Sequence, residues 1–109
     1  MKPKAVILRE SASRDIDEAI GYYLDEAGDE TALAFVEALE RAYRHLGLFP
    51  ASGSLRYAYE LELPGLRCWS LDGFPYLVFY VDGEDHVDVW RVLHGSRNIP
   101  AWMREPKGE

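Results

Sequence analysis

Lysine is nearly missing from this chain. After Lys2 and Lys4 the next is Lys107, so the interior of a 109-residue sequence relies on arginine for its permanent positive charge. With a formal net charge of -7 and a pI of about 4.9, this excludes a protein that coats nucleic acid, because phosphate binding needs cations to displace counterions. No direct nucleic-acid contact is expected. Cysteine is almost absent too: Cys68 stands alone, cannot close an internal disulfide and fits a reducing compartment. Its flanks, LRCWSL, read as strand, which makes it a small buried apolar residue rather than a nucleophile. No apolar run approaches the ~20 residues of a membrane span, and MKPKAVILRE loses its apolar character at Arg9 and Glu10 before a secretory core is built. The expectation is a cytoplasmic protein with no membrane partner. The sequence also lacks a P-loop, GxGxxG, CxxC and HExxH, and its three histidines, His45, His86 and His94, have no carboxylates at ligand spacing. Neither a metal nor a cofactor is expected.

What is present organises the chain into one domain over residues 1–103, followed by a flexible tail at 104–109. KAVILRE is β-branched and apolar between charged ends, a short strand. Ser11 or Ser13 then caps a helix whose apolar stripe is Ala12, Ile16, Ala19, Ile20, Tyr23 and Ala27. Gly28 ends it, Asp29 caps the next, and Ala32, Phe35, Leu39, Ala42, Tyr43 and Leu46 form a second stripe that stops near Pro50. The short connection predicts an antiparallel helical hairpin. From residue 55 the period falls to two, with turn signals at Pro64-Gly65, Asp72-Gly73 and Asp82-Gly83. These cut out strands near 57–63, 66–71, 76–81 and 86–93. The fold class predicted is therefore α+β: an N-terminal strand, a helical hairpin, then a four-stranded antiparallel meander. YLVFYV, apolar at every position, is its central strand, one face of which the hairpin must cover.

The basic residues of the sheet region are Arg56, Arg67, Arg91 and Arg97. Pairing Leu71 with Tyr76 sets Arg67 opposite Tyr80 and Trp69 opposite Val78; pairing Val81 with His86 places Arg91 across from Tyr76 on the same face. Arg67, Trp69, Tyr76, Tyr80 and Arg91 would form an aromatic and basic surface, and a bulge would turn Arg91 away from it. The plainer reading has these arginines lying over aromatics and pairing with the many carboxylates. At the end of the last strand, RVLHGSR concentrates Arg91, His94 and Arg97 around Gly95, which allows the chain to turn.

Four segments, DIDEAIGYYLDEAG, LGLFPASG, LPGLRCWSLDGFPYLVFYV and VDVWRVLHGSR, occur in an order that resembles the ParE/RelE superfamily of toxin-antitoxin toxins over residues 4–99. The closing V-L-H-G-S-R is the most specific of them. The resemblance implies a toxin neutralised by a co-expressed antitoxin, expected to be a ribbon-helix-helix DNA-binding protein, in a hetero-oligomer. The ParE-like branch is favoured, whose members are associated with blocking DNA gyrase by binding. The RelE-like alternative, a ribosome-dependent messenger-RNA nuclease, uses lysines and a late tyrosine that this chain lacks: Gly95 stands about where that branch has an arginine, and the last tyrosine is Tyr80. No catalytic residues carry over. A third possibility is an antitoxin-binding module whose toxicity is weak or lost. The implied antitoxin contacts are Arg67, Trp69, Tyr76, Tyr80, Arg91 and Arg97. Because the central strand is apolar on both faces and the hairpin can cover only one, an exposed apolar groove is expected that involves Trp69, Tyr76, Tyr80 and the outer side of the helices, filled by a partner helix or strand. The implied target contacts are Arg91, His94, Arg97 and Trp102.

Overall fold

The computed structural model describes residues 2–103; the expected tail at 104–109 lies outside them. Strand β1 (Ala5–Leu8) runs directly into α1 (Glu10–Glu26), and α2 (Asp29–Leu48) returns antiparallel to it. Because the Arg9 amide still bonds the Val89 carbonyl at 2.9 Å, no slack remains for a serine cap. The helix starts at Glu10, and Ser11 is buried in its first turn. Gly28, at φ 95°, makes the reversal between the helices; Asp29 is the first residue of α2, and no side chain caps that helix. Both predicted stripes face inward: Ala12, Ile16 and Ala19 from α1, and Ala32, Phe35, Leu39, Ala42 and Leu46 from α2, are buried.

The expected strand at 57–63 is instead a helix. After a 3-10 turn (Pro50–Ser52), α3 spans Arg56–Leu61. The alternation of Tyr57, Tyr59, Leu61 and Leu63 imitates a strand, but Tyr57, Ala58 and Leu61 share a helical face that packs on the sheet, leaving Tyr59 80% exposed. Ser54 Oγ accepts a bond from the Arg56 amide at the helix start, and Glu62, at φ 56°, ends it in the left-handed conformation.

Strands β2 (Leu66–Ser70), β3 (Tyr76–Asp82) and β4 (His86–His94) form an antiparallel meander of three. The fourth strand is β1, which pairs parallel with β4, giving a mixed sheet in the order β1-β4-β3-β2. The α1/α2 hairpin covers one sheet face, burying Val78, Tyr80, Val87, Val89 and Val92. The opposite face packs Leu66, Phe79 and Leu93 against α3 and a short C-terminal helix, α4 (Ile99–Met103). The central strand is thus covered on both sides by the chain's own helices. The exposed groove expected over Trp69, Tyr76 and Tyr80 is filled by the hairpin, and Tyr80 is fully buried.

The β2–β3 register is as expected, with Arg67 opposite Tyr80 and Trp69 opposite Val78. The β3–β4 register is not. Val81 faces Asp88, two residues from the expected partner, and a bulge follows between Phe79 and Tyr80. A two-residue shift preserves facing, but the single extra residue, Trp90, reverses it. Arg91 consequently lies opposite Phe79 instead of Tyr76.

Candidate partner-binding groove

Beyond Val89, β4 outruns the four-residue β1, so among the described residues its end has no neighbouring strand on that side. Asp15 of α1 takes the strand's place. One of its oxygens accepts a bond from the Val92 amide at 3.0 Å, and both accept from Arg91, at 2.8 Å each. Arg91 also donates to the Trp102 carbonyl at 2.9 Å, tying α4 to the same node. Side-chain exposures of 13% for Arg91 and 8% for Asp15 make this a desolvated ion pair, strongly unfavourable to break.

Above this node lies a groove of about 360 Å³, walled by α1, the start of β3, the end of β4 and α4. Asp15, Glu18, Tyr22 and Tyr23 line one side, and Tyr76, His94, Arg97 and Trp102 the other. Arg97 places its guanidinium 4.1 Å from the Trp102 ring centroid. His94 stands edge-on to Tyr76 at 5.2 Å, and its Nδ1 accepts a bond from the Ser96 amide at 3.0 Å, which assigns the neutral ring's proton to Nε2. The Ser96 hydroxyl lies 2.8 Å from the same nitrogen. Burial pushes the Tyr76 hydroxyl pKa up; Arg97 pulls it down, while Tyr22 and Glu18 push it up, so these charges act on one site.

The residues expected to act as one surface therefore divide. Tyr76, His94, Arg97 and Trp102 meet at the groove, with Arg91 beneath it. Arg67, Trp69 and Tyr80 sit elsewhere. Arg67 Nη1 donates to the carbonyls of Ala51 at 3.0 Å and Gly53 at 2.9 Å. The Tyr80 hydroxyl donates to the Pro50 carbonyl at 2.7 Å and accepts from the Gly53 amide at 3.0 Å. Trp69 stacks on His45 with centroids 4.3 Å apart. Arg67 and Tyr80 lock the segment after α2 onto the sheet, and Trp69 holds the last turn of α2 itself. Backbone carbonyls are thus bound by Arg67 and Arg91, whereas Arg97 rests on the Trp102 ring.

Sequence reasoning put the outer side of the helices at the groove but named no residue of the α1 wall. Asp15 precedes the stripe residue Ile16, and Tyr22 lies beside Tyr23 but outside the stripe, 58% exposed. An aromatic displaced from the buried face of an acidic helix was the available signal. Cys68, expected to be buried, is half-buried, and that burial pushes its thiol up to about 11. Among the described residues no group of three or more His, Cys, Asp or Glu is placed to hold a metal, and no helix is long and apolar enough to cross a membrane.

A family model described as the ParE toxin of type II toxin-antitoxin system, parDE, matches residues 6–99. The chain belongs to the ParE toxin family. That match ends at Ile99, the first residue of α4, so it takes in both the α1 wall and the β4 end of the groove. Toxin ParE3 of Caulobacter vibrioides is 32% identical to this ParE-family chain over 99 residues, covering 90% of this chain and 93% of that protein. A solved structure described as the chromosomal ParDE TA system from P. aeruginosa shares the fold, with a TM-score of 0.69 at 19% identity, over 84% of this chain and 95% of the other. The α+β architecture is that of a ParE-family toxin, including the mixed sheet.

Proposed function

We propose that this ParE-family protein is held inactive by a co-expressed antitoxin, a ribbon-helix-helix DNA-binding protein, and acts when released by binding DNA gyrase without catalysing a reaction of its own. The observation that carries this reading is the way the sheet's arginines are used. Arg67 is spent on loop carbonyls and Arg91 on Asp15 and the Trp102 carbonyl. A nuclease needs cations to offset phosphate charge and a general base beside them. Here the groove offers Arg97 stacked on an indole, with no lysine among the described residues that line it. A binding role asks only for a shaped surface, and the groove supplies one.

Tyr76 and Arg97 on the antitoxin side of this reading share that groove with His94 and Trp102 on the target side. An antitoxin segment seated there would cover the target contacts, so neutralisation would follow from occlusion. Tyr80 and Arg67 support this surface through the fold and make no direct contact in the proposal.

Purified protein, with and without its antitoxin, should be assayed for gyrase-mediated DNA cleavage and for messenger-RNA cutting on ribosomes. Gyrase inhibition that the antitoxin reverses is the expected result. Codon-specific transcript cleavage would overturn the proposal and assign the chain a nuclease activity.

A further inference from the structure

The two walls of the groove differ in charge, and one of them is uncompensated. Helix α1 carries Glu10, Asp15, Asp17, Glu18, Asp25 and Glu26 against a single arginine, Arg14. Of the groove's two carboxylates, Asp15 is neutralised by Arg91, whereas Glu18 makes no ion pair among the described residues. Glu18 and Tyr22 are one turn apart on the same helix face, both exposed. Tyr22 packs edge-on against Tyr23 at 5.4 Å, and Tyr23 lies 6.2 Å from Tyr76, so a run of phenol rings extends from the exposed helix surface to the groove floor. On the opposite wall the Trp102 face already holds a cation, the chain's own Arg97.

A carboxylate without a counter-ion beside an exposed ring is the chemistry that receives an ammonium or guanidinium group. We propose that the Glu18–Tyr22 wall accepts a lysine or arginine side chain from a partner protein, namely the antitoxin segment that occupies the groove. The inference rests on the antitoxin-docking reading above. It adds that the segment must present a cation to α1 while any acidic residue it carries turns to Arg97, which fixes its direction along the groove. A segment docked the other way would set like charges together at both walls.

The test uses the full-length protein and the antitoxin encoded with it. Glu18→Lys and Tyr22→Ala leave the core untouched because both side chains are exposed, and unchanged melting curves should confirm this. Glu18→Lys is expected to weaken antitoxin binding at least about tenfold, and Tyr22→Ala about fivefold, in calorimetric or competition titrations. Replacing the antitoxin's lysines and arginines one at a time by glutamate should reveal one position whose substitution restores affinity to Glu18→Lys. Wild-type affinity in Glu18→Lys, or no rescuing position, overturns the inference while leaving the docking reading intact. Failure of the unmodified protein to bind the antitoxin overturns both. Concentration-dependent self-association that Glu18→Lys abolishes would assign the wall to a second copy of this chain and likewise overturn the partner assigned here.

Discussion

The lock at Gly53 and the groove above Asp15 use the same residue types to opposite ends. In the lock, Arg67 and Tyr80 direct their polar atoms at three carbonyls and one amide of a single loop, and Tyr80 is fully buried. In the groove, Arg97 lies over the Trp102 ring and Tyr22 meets Tyr23 edge-on, and both remain exposed. An arginine whose donors are satisfied by backbone carbonyls contributes to folding; one that rests on an indole keeps donors available for a partner. The difference therefore lies in which hydrogen-bonding capacity the fold has already consumed.

Four substitutions break or sharpen that contrast. The largest effect is expected from Asp15→Ala, which removes the carboxylate paired with the desolvated Arg91 guanidinium and uncovers the Val92 amide at the groove's base. Unfolding free energy should fall by about 3–5 kcal/mol in urea titrations, and a fall below about 1 kcal/mol would show that the node is not a buried ion pair in solution. Gly53→Ala comes next. Its Cβ would lie 2.6 Å from the Tyr80 hydroxyl and 3.1 Å from the Arg67 Cβ, so the lock must open. A cost of about 1–3 kcal/mol is expected, with antitoxin affinity unchanged wherever the variant is folded; loss of binding would mean that the two regions are coupled.

Arg97→Ala should do the reverse. Antitoxin binding weakens about tenfold, or 1.4 kcal/mol, while thermal denaturation shows a stability change within about 0.5 kcal/mol. A large drop in stability would move Arg97 into the class of Arg67. The smallest effect belongs to a residue in neither region. Among the described residues the buried Tyr43 hydroxyl has no hydrogen-bond partner, and burial pushes its pKa up to about 12. Tyr43→Phe removes that unsatisfied group and should stabilise by about 1 kcal/mol near neutral pH. Because the native pKa is raised, the unfolded chain ionises first, near 10. The wild type then loses stability between about pH 10 and 12, and the variant's advantage should widen there. A denaturation series from pH 8 to 11 measures both effects, and an advantage that stays constant with pH would contradict the burial of this group.

Much of this molecule is written in its periodicity. Two stripes at spacings of three and four place α1 and α2, paired glycine turns place three of the strands, and the facing of Arg67 and Trp69 follows from the turn at Asp72-Gly73. Those features depend on neighbours in sequence. The segment at 57–63 defeated the same reasoning because Tyr57, Ala58 and Leu61 satisfy a helix as well as alternation satisfies a strand, and only the presence of a sheet face to cover decides between them. The groove was half legible. VLHGSR marked its β4 side, but Asp15, Glu18 and Tyr22 stand some 75 residues earlier and join it only across the sheet edge.

By itself, then, the sequence determined the helical hairpin, the meander's turns and an acidic protein short of lysine, because stripe spacing, turn chemistry and composition are local. Tertiary structure decided that β1 lies parallel to β4, that one extra residue at Trp90 turns Arg91 away from Tyr76, and that Asp15 claims it. Each of these depends on register and edge geometry over long sequence separations, where a single residue's displacement reverses the face a side chain occupies.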